Sequence, residues 1–534
     1  MAADGVIKLS GISHFGDDFV AQPFQRHAQE QGALRSFVEQ HDFHARIPRI
    51  TYQPGVICSG DILWAMQVSS MHFKARVGEK LADVKLQSAL KKLQGNFVKG
   101  RADRITELDN FHEIRDAAAA IRDRTLANLD VYLDTFERNA KARGTVVHWA
   151  ETHDDVNRIV REIAAQHGVR KVIKSKSMVT EECALNDALI DAGLEVVETD
   201  LGEYILQLAK EPPSHIVAPV VHKTRDEVSD LFAEKHNAPR LTDIPALCRE
   251  AREKLRPHFL SADMGVSGAN FIIAETGSSL IVTNEGNGRL VTTLPKVHVA
   301  ITGIEKVVAT LEDVTTLLRL LPRHGTGQSI TNYISVTTGP RREGDSDGPE
   351  HFHVILVDAG RTKLLGGDMQ EMLRCIRCGA CMNHCPVYQS VGGHAYGWVY
   401  PGPMGSVLTP TYVGLQNAGD LPNAATLCGQ CHVACPVKIP LPELLRKLRE
   451  QQFELKLKPW FEMYALRAWG WLAQHSWLYS MTTRLQARLL KSAADDRGMI
   501  RSLPFAGGWT DRRDLPAPEG RTFRELYRAA SKNG

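Results

Sequence analysis

The sequence predicts two architectures in succession, an α/β domain on a largely parallel sheet and then a cysteine-rich segment, followed by a helical C-terminal region. Three observations carry this expectation. Short β-branched runs alternate with helical stretches between Thr145 and Val357, seven of the ten cysteines lie within the 61 residues from Cys375 to Cys435, and a Trp-rich amphipathic stretch runs from Pro459 to about Leu490. At 534 residues the chain exceeds what one core usually supports, so two or three domains are expected. The apolar fraction of 43% and charged fraction of 24% are those of ordinary soluble globular protein.

Taken in order, residues 1–70 show weak periodicity and only dispersed apolar side chains, and are expected to be an N-terminal extension to a chain whose working part begins near Met71. Residues 71–143 form a helical region. In it Ile114, Ala118, Ile121, Leu126, Leu129, Leu133 and Phe136 keep the spacing of one face of a long helix, which Gly144 ends. The α/β domain spans 144–362. Its predicted strands are Thr145–Trp149, Arg170–Lys174, Leu194–Thr199, His215–Val220, Phe271–Ala274, Leu280–Thr283, Val297–Thr302, Ile330–Thr337 and Phe352–Val357, the later ones closer together. Thr224 and Glu227 form a capping box ahead of a helix, and another helix covers Leu311–Leu321. Residues 363–450 trade apolar periodicity for Cys, Gly and Pro, so metal is expected to substitute for a core there. Residues 451–534 are the Trp-rich helical region, with Phe461, Tyr464, Ala465, Ala468, Trp469 and Leu472 on one face, and a polar tail.

The cysteines form two motifs. The first is Cys375-x-x-Cys378-x-x-Cys381-x-x-x-Cys385-Pro386 and the second is Cys428-x-x-Cys431-x-x-x-Cys435-Pro436. Such spacing lets three thiolates of one looped segment reach one cubane while the fourth, before Pro, serves a second cluster. By this geometry one cluster takes Cys375, Cys378, Cys381 and Cys435, and the other takes Cys385, Cys428 and Cys431. The segment is thus a two-cluster, ferredoxin-like domain, the clusters being of the 4Fe-4S type. A pair of zinc sites is the alternative that C-x-x-C pairs raise, and the gap of three before Cys-Pro, used twice, opposes it. Alignment on the Cys-Pro ends puts Ala425 where a fourth ligand of the second cluster would stand. The second cluster is then a three-iron species, a four-iron species with a non-cysteine ligand, or one with an open iron. His384, His394 and His432 lie nearby in sequence, where imidazoles more often donate hydrogen bonds than ligate. Cys58, Cys183 and Cys248 are scattered, ordinary thiols.

Lys plus Arg number 64 against 62 Asp plus Glu, which disfavours nucleic acid as a partner. No secretory h-region opens the chain, and the most apolar stretch, Trp460–Met481, carries Glu462, Arg467 and His475. A cytoplasmic protein is expected. Gly286-Asn287-Gly288 and Gly325-Thr326-Gly327 stop short of a dinucleotide fingerprint, and no Walker sequence occurs. The clusters are therefore wiring without a flavin or nicotinamide site, as in a subunit of a larger oxidoreductase.

The run Cys375-Ile-Arg-Cys378-Gly-Ala-Cys381-Met-Asn-His-Cys385-Pro386, with Gly392-Gly-His394-Ala-Tyr396-Gly397 and Tyr400-Pro-Gly-Pro403, closely resembles the lactate utilization iron-sulfur proteins, the lactate utilization protein B family. So do Lys174-Ser-Lys176-Ser-Met178-Val-Thr180-Glu-Glu182, Glu198-Thr-Asp200-Leu-Gly-Glu203-Tyr204, Glu275-Thr-Gly277-Ser278 and Asn284-Glu-Gly286-Asn-Gly288-Arg289. The resemblance runs from about Phe73 into the tail. It implies an α/β domain of the LUD type, similar to the ribose-phosphate isomerase and CoA-transferase class, ahead of the two-cluster domain. It also implies two companion lactate utilization proteins and oxidation of L-lactate to pyruvate. The leading expectation is an electron-transfer subunit that passes electrons towards a membrane quinone pool or another redox acceptor, cytoplasmic or peripheral to the inner membrane face; a catalytic subunit that binds the hydroxy acid at an open-site cluster and a cluster-held scaffold are the alternatives. The same seven cysteines are the ligands the resemblance implies. Two loops of the α/β domain are candidate anion or substrate sites: Lys174, Ser175, Lys176 and Ser177 after a strand, and Glu275, Thr276, Gly277 and Ser278, where Gly277 allows close approach. A solvated polar loop and a tight turn are the plain alternatives.

Overall fold

The computed structural model describes residues 68–504, 510 and 513–533. All but the last three residues of the expected extension, and Cys58 with them, lie outside the described residues. Two compact units divide the chain, Met1–Arg449 and Glu450–Gly534.

In the first unit the strands are β1 (Val146–Ala150), β2 (Lys171–Lys174), β3 (Glu195–Glu198), β4 (Met264–Gly268), β5 (Phe271–Ile273), β6 (Ser278–Thr283), β7 (Val297–Gly303), β8 (Val307–Val308), β9 (Tyr333–Thr337) and β10 (His351–Val357). Six make a parallel sheet in the order β1-β10-β7-β4-β2-β3. Four make a smaller sheet in the order β8-β5-β6-β9. The period-2 pattern of a strand sorts β10 between two cores. Ile355 and Val357 join Val156, Ile159, Val160 and Ile163 of the helix His153–Gln166 on one face. Phe352, Val354 and Leu356 join Leu129, Leu133 and Phe136 of the helix Leu129–Ala142 on the other. Burial on both faces is what a parallel sheet requires, and it explains the continuous apolar runs.

The structure corrects three sequence expectations. The run His215–Val220 is a turn, because His215 Nδ1 accepts from the backbone N–H of Val217 at 3.0 Å and of Ala218 at 2.9 Å. The long helix expected from Phe111 breaks at Asn128 into Phe111–Ala127 and Leu129–Ala142. The central strand β4, Met-Gly-Val-Ser-Gly, was not expected at all. Its Gly265 is dictated by packing, since a Cβ there would lie 2.0 Å from the Val291 carbonyl oxygen. The capping box at Thr224 and Glu227 forms, with both reciprocal hydrogen bonds.

Residues 371–439 hold only short helices, among them Ala380–Asn383, Pro386–Val391, Gly402–Val413 and Gln430–Ala434. The expectation that metal substitutes for a core here does not hold. Tyr388, Tyr396, Tyr400, Val407, Leu408 and Leu421 are fully buried. They pack in one apolar cluster with Leu86, Leu90 and Leu93 of the helix Val84–Ile105 and with Ile114, Ala118 and Ile121 of the helix Phe111–Ala127.

In the second unit, helices Trp460–Gln474 and Ser476–Ser492 follow one another. Phe461, Tyr464 and Trp469 of the expected apolar face are exposed, as are Trp460, Trp471 and Trp477. Among the described residues no helix is long and apolar enough to cross a membrane.

Candidate iron-sulfur centre

The two cysteine motifs share a backbone form. Arg377 before Cys378 and Leu427 before Cys428 both adopt positive φ, and Gly379 and Gly429 after those cysteines lie at φ +80° and +85°. A short helix follows each glycine, Ala380–Asn383 ending two residues before Cys385 and Gln430–Ala434 ending directly before Cys435. The left-handed glycine turns the chain so that backbone N–H groups face sulfur. Ala380 donates to Cys378, Gln430 to Cys428, and Tyr388 and Val387 to Cys385. The Ile439 N–H stands 3.4 Å from Cys435 Sγ, and that of Arg377 3.4 Å from Cys375 Sγ. Such bonds favour thiolate and tune a cluster's potential.

The thiols act on one another in two sets. Cys378 interacts electrostatically with Cys435 and Cys375, Cys435 with Cys375, and Cys381 with Cys375, Cys378 and Cys435. Cys385 interacts with Cys428, and Cys431 with both Cys385 and Cys428. Cys381 also interacts with Cys431, which brings the sets side by side. Burial, with like charge from neighbouring sulfurs added to it, pushes Cys378, Cys381, Cys385, Cys431 and Cys435 up, Cys435 to about 11 and Cys431 to about 12, whereas hydrogen bonding from the Thr426 side chain and the Gln430 N–H lowers the exposed Cys428. So many thiolates close together need bound cationic metal to offset them. Among the described residues no three His, Cys, Asp or Glu side chains gather closely enough for a single metal ion. A cubane spreads its ligands further, one thiolate to each iron.

Orphaned polar atoms point the same way. The Tyr396 hydroxyl is buried with no hydrogen-bond partner and interacts with Cys385 and Cys381. Arg101 Nε is also buried without a partner and the side chain acts on Cys378 and Cys435. Donor set and orphaned donors fit a pair of iron-sulfur clusters. Of the nearby imidazoles, His394 is turned to the Pro212 carbonyl at 2.8 Å and to His222. His384 Nδ1 lies 2.9 Å from the Ala380 carbonyl and His432 Nδ1 3.0 Å from that of Ile439.

A buried ionic network, which no local pattern of residues marks, joins this segment to the α/β domain. Arg361, on the loop after β10, donates to Glu182 at 2.8 and 3.0 Å and to Glu305 at 2.8 Å. The Tyr400 hydroxyl also donates to Glu182, and the Arg377 guanidinium lies 4.7 Å from the Tyr400 ring centroid. Burial works to raise the Glu182 carboxyl, yet Arg361, His153 and Tyr400 hold it down at about 2. Lys306 Nζ donates to the Cys375 carbonyl at 3.0 Å.

The α/β loops have partners of their own. Lys174 Nζ is buried against Glu181 at 2.7 Å and Glu198 at 2.5 Å, and Lys176 Nζ meets Glu203 at 3.1 Å. Any anion at Lys174–Ser177 must displace those carboxylates. A cavity of about 220 Å³ beside them is lined by Glu181, Asp187, Glu198, Glu203 and Glu211, with Lys210. At Gly277 the close approach is made by the protein itself, since a Cβ there would lie 2.3 Å from the Ala140 backbone nitrogen. Glu275 accepts from the Leu311 N–H at 3.0 Å, capping a helix, and Ser278 Oγ is 2.6 Å from Thr338 Oγ1.

Sequence profiles match three successive families: LUD domain over residues 133–357, 4Fe-4S dicluster domain over 371–439, and lactate utilisation protein B, C-terminal, over 445–532. The chain is 44% identical over 471 residues to lactate utilization protein B of Shouchella clausii (strain KSM-K16), covering 88% of this chain and 99% of the relative. It belongs to the lactate utilization protein B family. The relative from Lysinibacillus sphaericus (strain C3-41) is 44% identical over 470 residues and that from Geobacillus sp. (strain WCH70) 43% over 472, each covering 88% of this chain and 99% of the relative. A DUF162 family protein of Deinococcus radiodurans, 16% identical, matches 43% of this chain and 98% of its own at a TM-score of 0.23. The 4Fe-4S dicluster match over 371–439 covers both thiol sets.

Proposed function

We propose that this chain is the iron-sulfur electron-transfer subunit of a cytoplasmic assembly that oxidises L-lactate to pyruvate. It receives electrons from a substrate-oxidising companion, one of two, and passes them towards an acceptor at the membrane. The observation that carries the reading is the partition of the thiols into Cys375, Cys378, Cys381 and Cys435 and a neighbouring set of Cys385, Cys428 and Cys431. Each motif lends its last cysteine to the other set, so the clusters stand close enough for one-electron exchange, which is the chemistry such clusters supply. The second set has three cysteines, with Ala425 at the fourth position. The residues around them hold the thiolates by backbone N–H donation and exclude water with Tyr388, Tyr396 and Tyr400. The α/β domain is read as a LUD scaffold of the ribose-phosphate isomerase and CoA-transferase class. Both lysines of its Lys174–Ser177 loop are matched by carboxylates, which speaks for a supporting role over binding of a hydroxy acid.

The face that exposes Phe461, Tyr464 and Trp469 serves as a contact for a companion subunit or the membrane interface. Trp469→Ala should weaken such association while leaving the melting temperature nearly unchanged, and the reverse would sink this part. The main test is anaerobic purification with the companion proteins, iron analysis, and lactate-dependent dye reduction. About seven or eight irons per chain are expected. Lactate oxidation by this chain alone would transfer catalysis to it and overturn the reading.

A further inference from the structure

The two thiol sets lie in opposite electrostatic settings. Five basic side chains act on the first set. Arg115 donates to the Cys435 carbonyl at 2.6 and 3.2 Å, and Lys306 to that of Cys375 at 3.0 Å. Arg101 acts on Cys378 and Cys435, and Arg122 and Arg377 act on Cys375. Arg115, Arg122 and Lys306 are buried. The carboxylates facing this group are Glu305, shared with Arg361 and Arg377, and Asp123, which acts on Arg122 and pairs with Arg374. Around the second set the strongest influences are burial of Cys385 and Cys431, other thiols, backbone N–H groups and the Thr426 side chain, with no Arg or Lys among them. Arg449, which lies near the start of that motif, is spent on the carbonyls of Pro422 at 2.8 Å and Ala425 at 2.9 Å. Cys428 is exposed.

We propose that Arg101, Arg115, Arg122, Lys306 and Arg377 form a positive shell that gives the first cluster the higher potential, so that the half-reduced protein keeps its electron there. The inference rests on the ligand sets proposed above. Reduction adds one negative charge, and buried positive charge in a medium of low dielectric stabilises that charge strongly. Two effects oppose the order. Water beside Cys428 also stabilises added charge, but in high dielectric its pull is weaker. The second cluster's missing thiolate removes one negative charge, against four guanidinium groups in the shell, joined by Lys306, which burial lowers to about 7, and offset in part by Glu305 and Asp123. The second cluster, with the exposed Cys428, is then the port through which electrons exchange with a partner.

The test is an electrochemical titration of the anaerobically purified full chain, followed by EPR. Two waves are expected. Cys428→Ser strips a ligand from the second set and should abolish the lower wave; loss of the higher wave overturns the order. Arg101→Gln should move the higher wave to lower potential and leave the other in place, while Arg101→Lys, which keeps the charge, should restore it. Lys306→Met gives a second, independent reading with the same expectation. Movement of both waves together, or of neither, at full iron content overturns the shell. Iron-free protein, or iron that does not cycle, sinks the ligand assignment itself, whereas loaded clusters with inverted potentials sink only this inference.

Discussion

The parallel sheet and the cysteine segment solve the same problem in different ways. The sheet closes its own cores, with β10 feeding Ile355 and Val357 to one side and Val354 and Leu356 to the other. Segment 371–439 builds one apolar cluster jointly with helices Val84–Ile105 and Phe111–Ala127, far earlier in the chain. Clusters are therefore not a replacement for packing here. The thiols are presented by loops that apolar contacts and buried tyrosines already fix, and metal binding adds to a site that is largely formed.

The widest gap between the regions should appear with Cys378→Ser. Iron is expected to fall by about four per chain, one cluster's worth, while far-UV circular dichroism keeps its helical signal because the joint core survives. Collapse of the whole fold would restore the idea that metal does a core's work.

Next in size is Glu182→Gln, at the seam between the regions, where Glu182 serves Arg361, Tyr400 and His153. Removing one partner of a buried pair costs about 3–5 kcal/mol. The pH dependence has a definite sign. The folded carboxyl titrates at about 2 against 4.5 for the free group, so its contribution is complete above about pH 5 and is lost as pH falls towards 2. Melting curves of wild type and variant should then converge in acid. A constant difference from pH 7 to pH 3 would show that Glu182 is not the group responsible.

Leu90→Ala and Leu189→Ala place the same truncation in each region, at side chains that are 1% and 0% exposed. Both should cost about 2–5 kcal/mol. Only Leu90 belongs to the cluster shared with the cysteine segment, so only Leu90→Ala should also speed iron release to a chelator. Equal release from both variants would mean that the segment feels the whole unit rather than its own core.

What the sequence made legible follows from the range over which each signal acts. The α/β alternation, the capping box at Thr224 and the cysteine spacing are all written within a few residues. The strand β4 was hidden because Gly265 and Gly268 suppress the β-branched signal where close packing demands glycine. The His215 turn was hidden because a ring nitrogen, not a turn residue, organises it. Lys174 read as a cation for a ligand, since Glu198 lies 24 residues away. Glu182 and Arg361 pair across 179 residues, and nothing local marks either as buried.

The smallest effect should come from Ser70, at the edge of the joint core. Its hydroxyl donates to the Tyr396 carbonyl at 2.8 Å and the residue is fully buried. The Ser69 N–H donates to the Gly397 carbonyl at 2.9 Å, and Arg76 Nη2 to the Ser69 carbonyl at 2.8 Å. Together they tie the chain just before Met71 to the turn carrying Tyr396, whose hydroxyl interacts with Cys385 and Cys381. Ser70→Ala removes one such bond and should cost about 1 kcal/mol. A chain begun at Met71 loses all three, so it should melt lower than Ser70→Ala and release iron sooner. Identical melting of the two would mean that the tie is slack and that the helix Phe73–Ala82 alone anchors this edge, bringing the start of the working fold back to Met71.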